Sequence, residues 1–405
     1  MTPTKATKAK RPHPVRTLTA VLALALVVGA CASGDSDEQE AASSTTAAPE
    51  ADESQPTPTQ APATTVTTTT PAPSEPPHVA PLAWGNFVLS PRIADKLSNG
   101  DDLNFVISLT STGPAGGAAP FEAGWFQAGA DVAAAHGVGI DARVVGPYTA
   151  DAEAQAETIE ALIASGDIDC LAVEASAPGV MRPIIGTAVD AGIPTYTVGG
   201  DSPESKRFAF YGSDDFASGE MAGSLVGKWA LDGGILVRRA GLQAGDGGDR
   251  RSVERMRGFV AGLVQTHSSV EWVNDPTTVV SQGFESVAVY DASEAWVLDN
   301  IDVDIVFHPD SGLETVAKVI ADRLLYGDMY AVGFHMNEAV ADYIRQRVVV
   351  AAMIPGNAEQ ARQAGTACGG FLLAGEHQTA TFIVDPVAVT RDNVDEIDWT
   401  QSENR

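Results

Sequence analysis

From Asp102 to Met353 the chain keeps repeating one unit, a short apolar run followed by a longer amphipathic one. "FVISLT" (105–110), "DARVVGP" (141–147), "IDCLAVEA" (168–175) and "PTYTV" (194–198) read as strands. Helical spacing fills the intervals at 121–137, 150–166 and 180–192. After residue 213 the rhythm resumes. Helices are expected at 215–231, 250–265, 284–298, 311–326 and 336–346, alternating with strands at 234–239, 270–274, 303–308, 329–334 and 348–353. Strands that alternate with helices argue for a parallel α/β sheet, and uninterrupted apolar runs such as "DIVF" fit strands buried on both faces.

The rhythm fails once. In "VGGDSPESKRFAFYGSDD" (198–215) two strand-like runs follow each other with no helix between them. A single barrel has no use for such a break, whereas two successive arrays do. The expected fold is therefore two doubly wound, Rossmann-like lobes joined by a hinge of three crossovers near 213, 354 and 385. The first lobe takes 81–213 plus 355–384, and the second takes 214–354 plus 385–400.

What precedes the lobes reads differently. Five basic residues (Lys5, Lys8, Lys10, Arg11 and Arg16) lead into an apolar run from Thr17 to Ala30 that stops at Cys31. At about 14 residues the run is shorter than the roughly 20 that span a bilayer. The pattern resembles a bacterial lipoprotein signal over 1–31, which implies lipidation at Cys31 and anchoring at the outer face of the cell membrane. Residues 32–80 hold eight acidic residues but no Lys, Arg, Leu, Ile or aromatic residue. That composition predicts a Pro/Thr/Ser-rich disordered tether.

Charge and motifs remove several functions. With 53 acidic against 25 basic residues the chain carries a net charge of −28, which argues against a nucleic-acid partner. No G-x-S-x-G, H-E-x-x-H or C-x-x-C occurs, so no catalytic motif, metal or cofactor is expected. "GLQAGDGGD" (241–249) reads as a flexible strand-to-helix loop rather than a phosphate loop. Two cysteines remain after Cys31. Cys170 and Cys368 read as two buried thiols, with a disulfide as the alternative.

Open α/β sheets bind ligands beyond the carboxyl ends of their strands. Residues there include Phe121, Glu122, Trp125 and Phe126, then Asp201, then Arg250, Arg251 and Arg255, then Asp310, and finally His335. Aromatic faces beside carboxylates and guanidinium groups suit a sugar, which has apolar ring faces and hydroxyls that donate and accept. Arg250 and Arg251 read either as a solvated helix N-terminus or as functional residues, and because basic residues there oppose the helix dipole the functional reading is favoured.

Over residues 102–395 the chain resembles the periplasmic sugar-binding proteins of the ribose/galactose type, the substrate receptors of ABC importers. The likeness is carried by "GAAPFEAGWFQAGADVAAAHGV", by "AGIPTYTVGGDSPESKRFAFYGSDDFASGEMAG", by "ERMRGF" and by "AVGF". It implies a non-enzymatic, monomeric receptor that closes on a sugar, polyol or related molecule and delivers it to an ABC permease. The alternatives are a sensor feeding a membrane signalling receptor and a surface carbohydrate-active enzyme. It further implies ligand contacts at Phe121, Glu122, Trp125, Asp201, Arg251, Asp310 and His335, with Arg255 as either a contact or a structural residue. Two positions depart from the family pattern. His335 stands where Gly-Phe-Asp usually ends, and Met353 stands ahead of the hinge proline where Gln is common.

Overall fold

A computed structural model describes residues 79–82, 84–113, 117–283, 286–377 and 381–397. The lipoprotein-like signal, Cys31 and nearly all of the tether lie outside them. The fold belongs to the compact unit from Pro71 to Arg405.

The described chain starts with an antiparallel hairpin, β1 (Val79–Leu82) and β2 (Gly85–Val88), and helix α1 (Pro91–Asn99). Then come β3 (Leu103–Ser108), α2 (Ala118–His136), β4 (Ile140–Val145), α3 (Ala152–Ser165), β5 (Cys170–Val173), α4 (Pro178–Asp190), β6 (Thr195–Val198) and β7 (Phe210–Gly212). The second array runs α5 (Asp215–Gly233), β8 (Arg239–Leu242), α6 (Arg250–Val264), β9 (Glu271–Trp272), α7 (Ser286–Asp299), β10 (Ile305–His308), α8 (Leu313–Asp322), β11 (Tyr330–Phe334), α9 (Glu338–Arg345) and β12 (Val349–Ile354). The chain closes with α10 (Asn357–Ala374), β13 (Thr381–Ile383) and β14 (Val387–Thr390).

Two six-stranded sheets result, ordered β13-β7-β6-β5-β3-β4 and β14-β12-β11-β10-β8-β9. Every neighbouring pair is parallel except β12 with β14. The chain passes between the sheets three times, from β7 to α5, from β12 to α10 and from β13 to β14. Each sheet is doubly wound. In β10, Val306 packs into the cluster with Val316 and Ile320 of α8, while Ile305 and Phe307 pack on the other face with Phe259 of α6. Burial on both faces is why these strands read as unbroken apolar runs.

The helix ends follow local rules. Asp151, Asp214, Asp249 and Asn337 cap α3, α5, α6 and α9 by accepting bonds from backbone N–H groups of the first turn. The largest difference from the expected strand boundaries is at β8. The run 234–239 does not form the strand. Gly234 caps α5 in a left-handed conformation, and the strand begins at Arg239. The reason is Asp304, whose carboxylate accepts from the backbone N–H of Arg238 (2.7 Å) and Arg239 (3.0 Å) and sets where β8 joins the sheet.

Cys170 and Cys368 correct a second expectation. They are not two thiols but a disulfide joining the first residue of β5 to the middle of α10. α10 lies against β5 and β6 in the first-lobe core, which brings the two Cα atoms to 5.9 Å, within bonding range. The bridge fastens the returning helix, 198 positions later in the sequence, to the lobe it rejoins.

Candidate functional site

In the first lobe the mouth is formed by the ends of β3, β5 and β6. Gln155 of α3 is buried and donates to the carbonyl oxygens of Ser108 (3.2 Å) and Glu174 (3.2 Å), which ties two strand ends together. The Glu174 side chain is 7% exposed, and its Oε2 accepts from the backbone N–H of Thr110 at 3.0 Å. Phe121, in the first turn of α2, packs against the turn after β6. A β-carbon on Gly199 would lie 2.8 Å from Phe121 Cζ. Only a glycine lets that backbone, at φ 64°, come so near the ring.

In the second lobe Asp310 follows β10. Its carboxylate accepts from the backbone N–H of Gly245 (2.8 Å) and Gly312 (3.2 Å), and it lies 3.1 Å from Nδ1 of the fully buried His308. Burial alone would raise the pKa of Asp310. The His308 side chain and the two amides outweigh burial and bring it down to about 2. Beneath it, Arg255 donates to Asp215 (2.8 Å) and to the carbonyl oxygen of Pro309 (2.9 Å), with its guanidinium 4.2 Å over the Phe334 ring. His335 follows β11 with φ 69°, an uncommon conformation for a residue with a side chain. Its ring faces the other lobe, since a β-carbon on Gly117 would lie 3.9 Å from His335 Cε1.

Arg251 connects the two mouths. It stands at the second position of α6 and reaches across, placing Nη1 3.1 Å from Glu174 Oε1 and Nη2 3.3 Å from Ser176 Oγ. Nη1 would also lie 3.4 Å from a β-carbon on Gly199, which sets the guanidinium beside Phe121. Desolvation works against the charge, but Glu174, Asp249 and Asp215 more than offset it and hold Arg251 well above its ordinary pKa. At the rim a pocket of about 240 Å³ is lined by Pro178, Arg182, Ser202 and Glu204 of the first lobe and by Arg250 of the second.

The residues expected at the ligand therefore fall into distinct places. Phe121 and Arg251 meet at the lobe junction, and Glu122 sits half-buried on the same turn as Phe121. Trp125 does not reach the mouth. It is 1% exposed, it packs beside Gly365 of α10, and its indole N–H donates to the carbonyl oxygen of Phe105 at 3.3 Å. The outward residue of the pair is Phe126. Asp201 lies at the end of β6 as expected, yet its carboxylate is held by Arg207 at 2.6 and 2.9 Å and by the Thr197 hydroxyl at 2.8 Å. Arg207 thus touches an expected site residue. Arg255 is enclosed within the second lobe, and Met353 is fully buried among its core residues.

Glu174 and Ser176 were missed. The signal is a carboxylate, Glu174, near the end of the otherwise apolar run "CLAVEA", which reads as strand throughout in the sequence.

The profile of the periplasmic binding protein domain family matches residues 97–369. No curated protein matches the chain. Among solved structures, an ABC transporter solute-binding protein from Burkholderia graminis in complex with D-arabinose superposes with a TM-score of 0.63 at 19% identity, covering 74% of this chain and 98% of its own. A glucose-galactose binding protein from Geobacillus stearothermophilus gives 0.61 at 17% identity, with 72% and 99% covered. A LacI transcriptional regulator from Bacteroides fragilis, assigned as such only provisionally, gives 0.61 at 15% identity, with 73% and 100% covered. At these identities the likeness is one of fold.

Proposed function

We propose, because this chain belongs to the periplasmic binding protein domain family, that it is a lipid-anchored extracytoplasmic receptor that closes on a sugar or sugar-like molecule and delivers it to an ABC importer. Binding is non-covalent and no reaction is catalysed. The carrying observation is the junction itself. Phe121, Glu174 and Ser176 of one lobe face Arg251 of the other, so an aromatic ring, a carboxylate, a hydroxyl and a guanidinium converge from two strand mouths. Such a set suits a molecule with an apolar face and several hydroxyls.

The localisation has separate support. A disulfide between buried cysteines belongs to an oxidising compartment, and the segment ending at Cys31 reads as a lipoprotein signal. Neither suits a cytoplasmic regulator, even though one regulator shares the fold, and a net charge of −28 does not favour DNA.

Thermal-shift screening of the Pro71–Arg405 unit tests the reading. Arabinose, galactose, glucose, xylose, ribose, polyols, nucleosides and sugar acids form the panel. A ligand present at 100 times its Kd stabilises the folded state by about 2.7 kcal/mol, a plain shift in Tm. A panel without any shift rejects the sugar assignment, and hydrolysis of a glycoside that depends on Asp201 and Asp310 makes the protein an enzyme instead.

A further inference from the structure

Two adjacent arginines at the start of α6 are an anomaly, because the positive end of a helix dipole repels cations. For Arg251 the closest compensation comes from the opposite lobe. The carboxylate that caps its own helix, Asp249, is 4.0 Å from Nε, whereas Glu174 is 3.1 Å from Nη1 and Ser176 3.3 Å from Nη2. Glu174 is in the complementary position. One carboxylate oxygen is held within its own lobe by the Thr110 amide, and the other takes a charged partner only from Arg251 among the contacts described. The two side chains are 7% and 28% exposed, so water screens the pair less than a surface pair.

We propose that Arg251 is a built-in clasp. Its guanidinium occupies Glu174 and Ser176 in place of ligand and closes the lobes on each other without one. Closure forms the ion pair and opening breaks it, so the closed state has a stabilisation of its own. A ligand that enters takes over Glu174 and Ser176 by presenting hydrogen-bond donors. The inference rests on the proposed function only in treating the cleft as the ligand's entry, and a failed sugar screen leaves it standing.

The test uses the full chain without ligand. Ketone-reactive spin labels are placed on p-acetylphenylalanine replacing the exposed Glu160 of α3 and Asp291 of α7, and pulsed EPR measures the distance between the lobes. Wild type is expected to give one dominant short distance. Glu174→Gln and Arg251→Gln are each expected to lower the closed-to-open ratio about tenfold, as loss of a charge-assisted contact would. Ser176→Ala leaves no charge without a partner, so it folds normally, and it is expected to give a smaller shift in the same direction. Retention of the Cys170–Cys368 disulfide and a cooperative melt confirm the fold of each variant. A wild-type distance that is already long, or one that all three variants leave unchanged, overturns the clasp.

Discussion

Arg207 grips Asp201 through two parallel bonds, Nε to Oδ1 at 2.6 Å and Nη2 to Oδ2 at 2.9 Å, six residues apart on the loop between β6 and β7. Both side chains are largely buried, at 14% and 17% exposure. Removing the cation leaves a carboxylate held, among the described residues, only by the Thr197 hydroxyl. Arg207→Ala is therefore expected to cost about 1–3 kcal/mol, read from the urea midpoint, and Asp201→Asn less, because the asparagine amide oxygen still accepts from Arg207 and Thr197. Equal midpoints for Arg207→Ala and wild type would show that the fork contributes nothing.

Each lobe uses glycine where two helices cross closely. A β-carbon on Gly124 of α2 would lie 1.9 Å from the Ala358 carbonyl oxygen of α10, and one on Gly258 of α6 would lie 2.0 Å from the Phe216 carbonyl oxygen of α5. The obstacle is backbone in both cases and cannot swing aside. Gly124→Ala and Gly258→Ala are each expected to destabilise by at least about 2 kcal/mol. Gly186 of α4 is the control. A β-carbon there meets nothing within 4 Å, so Gly186→Ala is expected to stabilise by about 0.5–1 kcal/mol. Thermal melts of the three proteins decide, and a stable Gly258→Ala refutes the crossing argument.

These crossings show why the elements could be read from the sequence while the site could be read only in part. Strand β10 is an unbroken apolar run and helix α6 keeps one apolar face at helical spacing, and the missing helix at 199–209 marked the change of lobe. α2 is different. It is covered by the sheet on one side and by α10 on another, so its apolar residues go most of the way round and do not reveal which aromatic faces the mouth. Trp125 went to the core for that reason. Arg251 was legible because it breaks the dipole rule. Its partner Glu174 lies 77 residues away, on another lobe, and no local pattern pairs them. Asp201 and Asp310 were found as carboxylates at strand ends, but their internal partners, Arg207 and His308, are facts of packing.

The disulfide gives a prediction for the reduced protein. Tying β5 to α10 removes freedom mainly from the unfolded chain, and a bridge of this kind contributes about 2–5 kcal/mol. Cys170→Ala with Cys368→Ala is expected to lower stability by that amount, and wild type should fall to the same level in reductant. Alkylation of unfolded protein without reductant should leave both cysteines unmodified. Full alkylation there means that the bridge does not form.

Asp310 makes the last prediction, about acid. Its folded pKa of about 2 lies below the ordinary carboxylate value of about 3.9, so the folded state favours the charged form. For a lowered pKa the stabilisation is fully present above the unfolded value. It shrinks as pH drops below about 4 and is gone once pH has passed about 2. The size follows from the gap, about 2.6 kcal/mol in full, of which about 2 is lost between pH 5 and pH 2. Other carboxylates titrate in the same window, so the readable quantity is a difference. Wild type should lose about 2 kcal/mol more than Asp310→Asn between pH 5 and pH 2, because the variant keeps an acceptor for the Gly245 amide but has no charge to neutralise. Parallel stability curves for the two proteins over that range would mean that His308 and the two amides do not hold Asp310 in its ionised form.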